Sequence, residues 1–287
     1  MQKYSIFNLI KNAFSNHQKW DLAWKDPTPK KEYDVVIIGG GGHGLATAYY
    51  LAKEHNITNV AIIEKGWIGG GNVGRNTTII RSNYMHDDNA LFSEFGMDLW
   101  RKMSQDLNYN VMFSPRGIIN LAHSDAQMNV YARRGNSMRL NGIDAELLNR
   151  EQVREIIPMA DFSENVRFPI FGGLMQPSAG TARHDAVAWG YARQADSMGV
   201  DIIQNCEVIG FDISGGKVEG VRTSRGDIKV KKIGLCVAGS TNILADKLNM
   251  TLPIETHLLQ ACVSEPVKPV LDKVVTFGAG HFYISQS

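Results

Sequence analysis

The chain has 287 residues, more than one average domain, and its 44% hydrophobic and 21% charged fractions are those of a soluble globular protein rather than a small stapled scaffold. Thirty Lys and Arg against 29 Asp and Glu leave a net charge of +1, which offers no field for gripping nucleic acid or an anionic membrane, so neither is expected as a partner. Cys206, Cys236 and Cys262 are odd in number and lack CxxC spacing, which predicts no metal site and suits a reducing cytoplasm.

Residues 1–30 interleave Lys3, Lys11 and Lys19 with Phe7, Leu9, Ile10 and Phe14 and lack the unbroken apolar core of a secretory signal. No stretch approaches the roughly 18 apolar residues that span a bilayer. The run at 25–31 (KDPTPKK) has two prolines and no apolar residue. The segment before it therefore reads as an arm laid on the surface or on a partner, with the fold proper starting near Glu32.

Residues 35–38 (VVII) form a β-branched run fit for a buried parallel strand. Gly39, Gly41 and Gly44 then complete G-x-G-x-x-G: a tight turn, a close approach of backbone to pyrophosphate, and close helix-on-strand packing. A helix is predicted over 45–53, its N-terminal amides facing the phosphates. A second strand over 59–63 ends at Glu64, twenty residues beyond Gly44, where a carboxylate accepts hydrogen bonds from an adenosine ribose. Strand, turn, helix, strand and acid at this spacing predict dinucleotide binding. The acid disfavours NADP, and NAD and FAD both remain open at this point. His43, inside the turn, is either a ligand or a side chain aimed at solvent or a second lobe.

A second glycine cluster follows in 65–84 (KGWIGGGNVGRNTTIIRSNY), with little helical periodicity, as expected of a loop against a ligand. Here the chain resembles the FAD-dependent oxidoreductases of the D-amino-acid oxidase type, and within them the beta-subunit family of heterotetrameric sarcosine oxidases. The resemblance is carried by GGGGHGLATAYYLA, EKGWIGGGNVGRNTTIIRSNY, RHDAVAWGYAR and DIIQNCEVIGF, dispersed over most of residues 18–287. It implies non-covalent FAD contacted by Gly42, His43, Glu64, Asn72, Val73, Thr77 and Ile79, with the backbone of Val208 at the adenine and Arg81 near the flavins. It also implies an FMN joined covalently to His184, with His281 nearby, and a complex with alpha, gamma and delta subunits, tetrahydrofolate and NAD belonging to a partner. The implied reaction takes a hydride from the N-methyl carbon of sarcosine to FAD. Electrons then go to FMN and oxygen, giving hydrogen peroxide, and the one-carbon unit goes to tetrahydrofolate. Dimethylglycine or proline oxidation, and a non-catalytic nucleotide-binding scaffold, are the alternatives. Read by themselves, Arg75 and Arg81 suit balancing anions, and Arg81 is the candidate for the substrate carboxylate and so the catalytic choice.

Further along, Leu91, Phe92, Phe95, Leu99 and Met103 recur every three to four residues, predicting an amphipathic helix capped by Asp87 or Asp88. Residues 111–113 and 117–122 read as strands, with helices around 126–140 and after Asn149. A helix over 185–198 is stopped by Gly199. Alone, His184 reads as an exposed histidine in that helix's cap, with Asp185 orienting its ring or capping the helix. Within residues 200–238, short strands separated by Gly215-Gly216 and Arg225-Gly226 read as a meander, followed by a buried strand over 233–237 ending at Ala238 and Gly239, small enough for another approach to the nucleotide. Residues 257–265 and 281–287 are strand-like, His281 alternating with Tyr283 on one strand.

The expected fold class is α/β: a Rossmann-like FAD-binding domain with an inserted mixed α+β substrate lobe. Its parts are an arm (1–30), FAD-binding segments (31–85 and 181–247) and lobe segments (86–180 and 248–287). The resemblance implies a final segment covering the flavin ring, which this sequence lacks, so a fragment or a completing partner is expected.

Overall fold

The computed structural model describes residues 5–20, 22–163 and 165–286, so Lys3 of the arm lies outside the described residues. In chain order the elements begin with α1 (Ile6–Ala13), β1 (Glu32–Ile38), α2 (Gly42–His55) and β2 (Val60–Ile63). Next come β3 (Ile79–Ile80), α3 (Asp87–Asp106), β4 (Ile118–Ala122), α4 (Asp125–Leu140), β5 (Glu146–Asn149) and α5 (Arg150–Ile156). β6 (Gly172–Gln176), β7 (Gly180–Thr181), α6 (His184–Ser197), β8 (Asp201–Ile203) and β9 (Val208–Ser214) follow. The chain continues through β10 (Lys217–Thr223), β11 (Gly226–Leu235), α7 (Thr241–Asp246), β12 (Val274–Phe277) and β13 (Phe282–Ile284). Two compact units result, Met1–Ile68 with Tyr191–Pro253 and Gly69–Gly190 with Ile254–Ser287, each built from separated stretches of chain.

In the first unit a six-stranded sheet runs β8-β2-β1-β11-β10-β9. β8, β2, β1 and β11 are parallel, and β11, β10 and β9 form an antiparallel meander. β1 and β2 read as unbroken apolar runs because both their faces are covered: Val36, Ile37, Val60, Ala61 and Ile62 are fully buried. Each large side chain so removed from water contributes about 1.5–3 kcal/mol. α2 lays Leu45, Ala48, Tyr49 and Ala52 on this sheet. Residues 25–30 are tied along the same unit. The Lys25 amide donates to Asp196 Oδ1 (2.9 Å), Asp26 pairs with Arg225 (3.0 Å), and Lys30 pairs with Asp201 (2.7 Å). α1 is capped by Ser5, whose side chain accepts from the Asn8 amide, yet Phe7 and Phe14 stay 70% and 90% exposed.

In the second unit a five-stranded sheet runs β13-β12-β4-β6-β5, antiparallel except for the β12–β4 pair, and β3 pairs with β7 separately. Ile119, Leu121, Leu148, Val153, Ile157 and Ile170 form one of its cores. α4 starts at Ser124, whose hydroxyl accepts from the Gln127 amide, and α5 at Asn149, which forms a reciprocal capping box with Gln152.

Several expectations are corrected. Residues 111–113 form no strand, because Met112 sits at φ +55 with its amide held by Asn110 Oδ1 at 2.8 Å. Asp87 and Asp88 stand in the first turn of α3, and His86 occupies the cap. Residues 233–235 are the end of one continuous ten-residue strand, β11. Residues 257–265 carry no strand, and Leu258, Leu259 and Val263 are at least 92% exposed. His281 precedes β13 in a turn at φ +52 and so does not alternate with Tyr283 along a strand.

Candidate functional site

The first unit brings the glycine turn, Glu64 and the end of β11 together at the carboxyl ends of parallel strands. Gly39 (φ +110) follows β1 directly, and a Cβ there would lie 2.3 Å from the Cys236 carbonyl oxygen. A Cβ on Gly44 would lie 2.0 Å from the Gly39 carbonyl oxygen. Neither position accepts a side chain, so the turn closes only with glycine. Gly41 occupies the cap of α2 with no side-chain hydrogen bond, and the helix's first turn contains no acid. The first helical bond runs from the Leu45 amide to Gly41 O (3.0 Å), so the Gly42, His43 and Gly44 amides precede the intrahelical ladder. An uncapped, acid-free helix start behind a glycine turn fits a pyrophosphate. His43 is exposed, and its carbonyl accepts from Thr47 Oγ1 at 2.7 Å.

Glu64, immediately after β2, has both carboxylate oxygens on backbone amides: Oε2 accepts from Gly40 (2.7 Å) and Oε1 from Gly66 (2.8 Å). The residue read as a ribose acceptor therefore also holds the glycine turn, through the Gly40 amide, which sequence reasoning missed. Val208 is buried at the start of β9, and Gly239 is exposed in a 3-10 turn after β11. Burial pushes the Cys236 thiol pKa up, against a hydrogen bond with Thr47 that lowers it.

The second unit carries the remaining candidates. Asn72 precedes a 3-10 turn of Val73–Arg75, and Arg75 folds back on its own loop, donating to the carbonyls of Gly70 (2.6 Å) and Gly71 (3.1 Å). Thr77 Oγ1 donates to Tyr283 Oη (2.9 Å), and Ile79 pairs with Thr181 across the β3–β7 ladder. That ladder ties the segment before Arg81 to the segment before His184.

Arg81 is half-buried beside Tyr84, its guanidinium carbon 4.7 Å from the ring centroid, and its Nη1 donates to Asn83 Oδ1 at 2.5 Å. It borders an open, largely apolar recess that includes Ile79, Ile80, Phe92, Phe95 and Trp100, with Ser93 as a polar member. Ser82 and Gln176 are fully buried, with the Gln176 Nε2 donating to Ser82 Oγ (2.7 Å) and the Ser82 amide to Gln176 Oε1 (3.0 Å). The backbone following Arg81 is thus fixed, and a cation stands at the rim of an apolar recess. This is a geometry for a small molecule with one anionic end.

His184 opens α6, half-buried, with its Nδ1 buried and without a hydrogen-bond partner. Asp185 does not serve the ring by a hydrogen bond: its Oδ1 accepts from Arg183 Nε (2.9 Å) and the Ala186 amide (2.8 Å). Burial raises the Asp185 pKa, but the Arg183 and Ala186 bonds outweigh it and hold the carboxyl below its ordinary value. His281 is exposed. Among the described residues no group of three or more His, Cys, Asp or Glu is arranged to hold a metal ion, and no helix is long and apolar enough to cross a membrane.

The family of FAD dependent oxidoreductases matches residues 34–287. The chain is similar to sarcosine oxidase subunit beta of Rhizobium meliloti, with 60% identity over 285 residues covering 99% of this chain and 68% of that protein. It is also similar to sarcosine oxidase subunit beta of Rhodobacter capsulatus, with 51% identity covering 100% of this chain and 69% of that protein. Among solved structures, L-proline dehydrogenase from P. horikoshii matches with TM-score 0.78 and 25% identity, over 90% of this chain and 68% of that one.

Proposed function

From the premise that the chain belongs to the FAD-dependent oxidoreductases, and among them to the sarcosine oxidase beta subunits, we propose that it binds FAD and oxidises the N-methyl carbon of sarcosine, yielding glycine. The observation that carries this reading is the glycine turn at the head of α2, sterically closed at Gly39 and Gly44 and tied to Glu64 through Gly40. FAD, when bound, supplies the hydride acceptor, which no amino-acid side chain provides. The chain's own residues do the rest. The Gly42, His43 and Gly44 amides receive the pyrophosphate and Glu64 the ribose hydroxyls. Asn72, Val73, Thr77, Ile79 and Val208 are assigned further contacts with FAD by the resemblance, and Gly239 by its small size just after β11. Arg81 receives the substrate carboxylate, with the apolar side chains of the recess beside it to take the methyl end.

The same reading assigns covalent FMN to His184, whose buried Nδ1 has no hydrogen-bond partner. It places the chain in a cytoplasmic complex with alpha, gamma and delta subunits, where a partner takes the one-carbon unit onto tetrahydrofolate and holds NAD.

The test is the absorption spectrum of the chain purified with its partner subunits. Flavin bands that bleach anaerobically on adding sarcosine support the enzyme. Absent or unbleached bands favour a nucleotide-binding scaffold, and bleaching only by dimethylglycine or proline moves the substrate. After acid precipitation, flavin should stay with the wild-type protein and be lost from His184→Ala. Flavin retained by that variant removes His184 from the role.

A further inference from the structure

Arg81 does not stand alone. On α4, Arg134 donates from Nε to the Asn83 carbonyl oxygen at 2.6 Å, and its Nη2 donates to the same oxygen. That one carbonyl is therefore gripped by two guanidinium nitrogens. Asn83 is fully buried; its side-chain oxygen accepts from Arg81, while its Nδ2 is buried with no hydrogen-bond partner. Arg134 is itself substantially buried. Burial first, and then the charge of Arg81, lower its pKa below the ordinary arginine value, with the Tyr131 and Tyr84 phenols acting the other way. Guanidinium groups stay charged throughout the physiological range, so two like charges face each other here with phenols, not carboxylates, as the other electrostatic neighbours of Arg134. Glu94, the acid hydrogen-bonded to neighbouring Ser82, is already bound to Arg101. Two cations thus converge on one buried residue, Arg81 at the side-chain oxygen of Asn83 and Arg134 at its carbonyl oxygen.

We propose that Arg134 is a positioning residue for carboxylate recognition: it locks the Asn83 peptide, so that the Asn83 side-chain oxygen holds Arg81 in place at the pocket it borders, ready for one small carboxylate. The inference rests on the reading of Arg81 as the substrate-carboxylate residue, and extends it to Asn83 and to Arg134, which lies outside the family motifs. Arg134 acts through Asn83 and through its charge rather than by touching the substrate. Lysine keeps the charge but cannot make the two-nitrogen grip.

The test uses the FAD-loaded complex and methoxyacetate, in which an ether oxygen replaces the amine of sarcosine, with methoxyacetamide as its neutral counterpart. Binding is read as a perturbation of the flavin absorption. Arg134→Gln should weaken methoxyacetate binding about 10- to 100-fold and leave methoxyacetamide unaffected, the kinetic loss falling on KM rather than kcat. Arg134→Lys should recover part of that loss, and Asn83→Leu should weaken methoxyacetate several-fold. An equal loss for the neutral amide, or unchanged methoxyacetate affinity in Arg134→Gln, overturns the proposal. If that variant does not assemble, Arg134→Lys decides: affinity equal to wild type overturns it, a several-fold loss supports it. Arg81→Gln separates the two readings. If it abolishes methoxyacetate binding while Arg134→Gln does not, the role of Arg81 stands and that of Arg134 falls. If Arg81→Gln binds methoxyacetate as wild type does, both fall.

Discussion

Glu64 holds the Gly40 and Gly66 amides at 2.7 and 2.8 Å with its two carboxylate oxygens, and the proposed function gives it the ribose hydroxyls as well. Hydrogen bonds to a charged group contribute about 1.5–3 kcal/mol each, so Glu64→Ala should weaken FAD binding about 10- to 100-fold. Glu64→Gln keeps one acceptor oxygen for a turn amide but no negative charge, and its loss should be only several-fold. Titration of FAD into flavin-stripped protein, followed by fluorescence quenching, checks both. Equal affinities in the two variants would mean that the negative charge, not the hold on the turn amide, dominates. The carboxylate itself was legible from its spacing beyond the glycines. Its grip on Gly40 was not, because a backbone amide leaves no trace in residue identity. Arg81 was legible as one of two arginines in a glycine-rich loop, whereas Arg134 reads as one of two adjacent arginines on an ordinary polar helix, 53 residues further on.

At the scale of elements, α5 is only seven residues long and depends on its start, where Asn149 and Gln152 each accept from the other's amide. It presents Val153 to the core with Ile119, Leu121 and Leu148. Asn149→Ala should therefore cost about 1 kcal/mol, within a range of roughly 0.5–2, measured by urea unfolding of the second unit's transition. An unchanged midpoint would mean that packing alone holds the helix. The elements that the sequence revealed are those whose pattern is local: the βαβ start, α3, α4 and α6 each carry their own periodicity or punctuation. The elements misread are those whose fate is decided elsewhere. β11 begins as the exposed third strand of a meander and ends beside β1, so its pattern changes from alternating to apolar within one strand. β5 passes directly into α5, so its four residues read as the approach to a helix. Residues 257–265 have the apolar content of a strand, but no ladder takes them up.

At the scale of the molecule, neither unit is a continuous piece of chain. β1 is complete at Ile38, yet its partner on one side, β11, ends at Leu235, with Ile38 opposite Leu235 in the register. During synthesis at about 5–20 residues per second, the apolar edge of β1 therefore waits on the order of 10–40 s for the strand that covers it. An uncovered parallel edge over that interval is an opportunity for pairing with other chains. Ribosome-stalled chains ending near residue 220 should leave the segment around residues 32–63 open to protease, and chains long enough to free residue 235 from the exit tunnel should protect it. Protection already present at the shorter length would mean that β1, α2 and β2 hold together without β11. Otherwise the yield of this protein in a cell is set less by how stable the finished fold is than by what shields one strand until translation has moved some two hundred codons downstream.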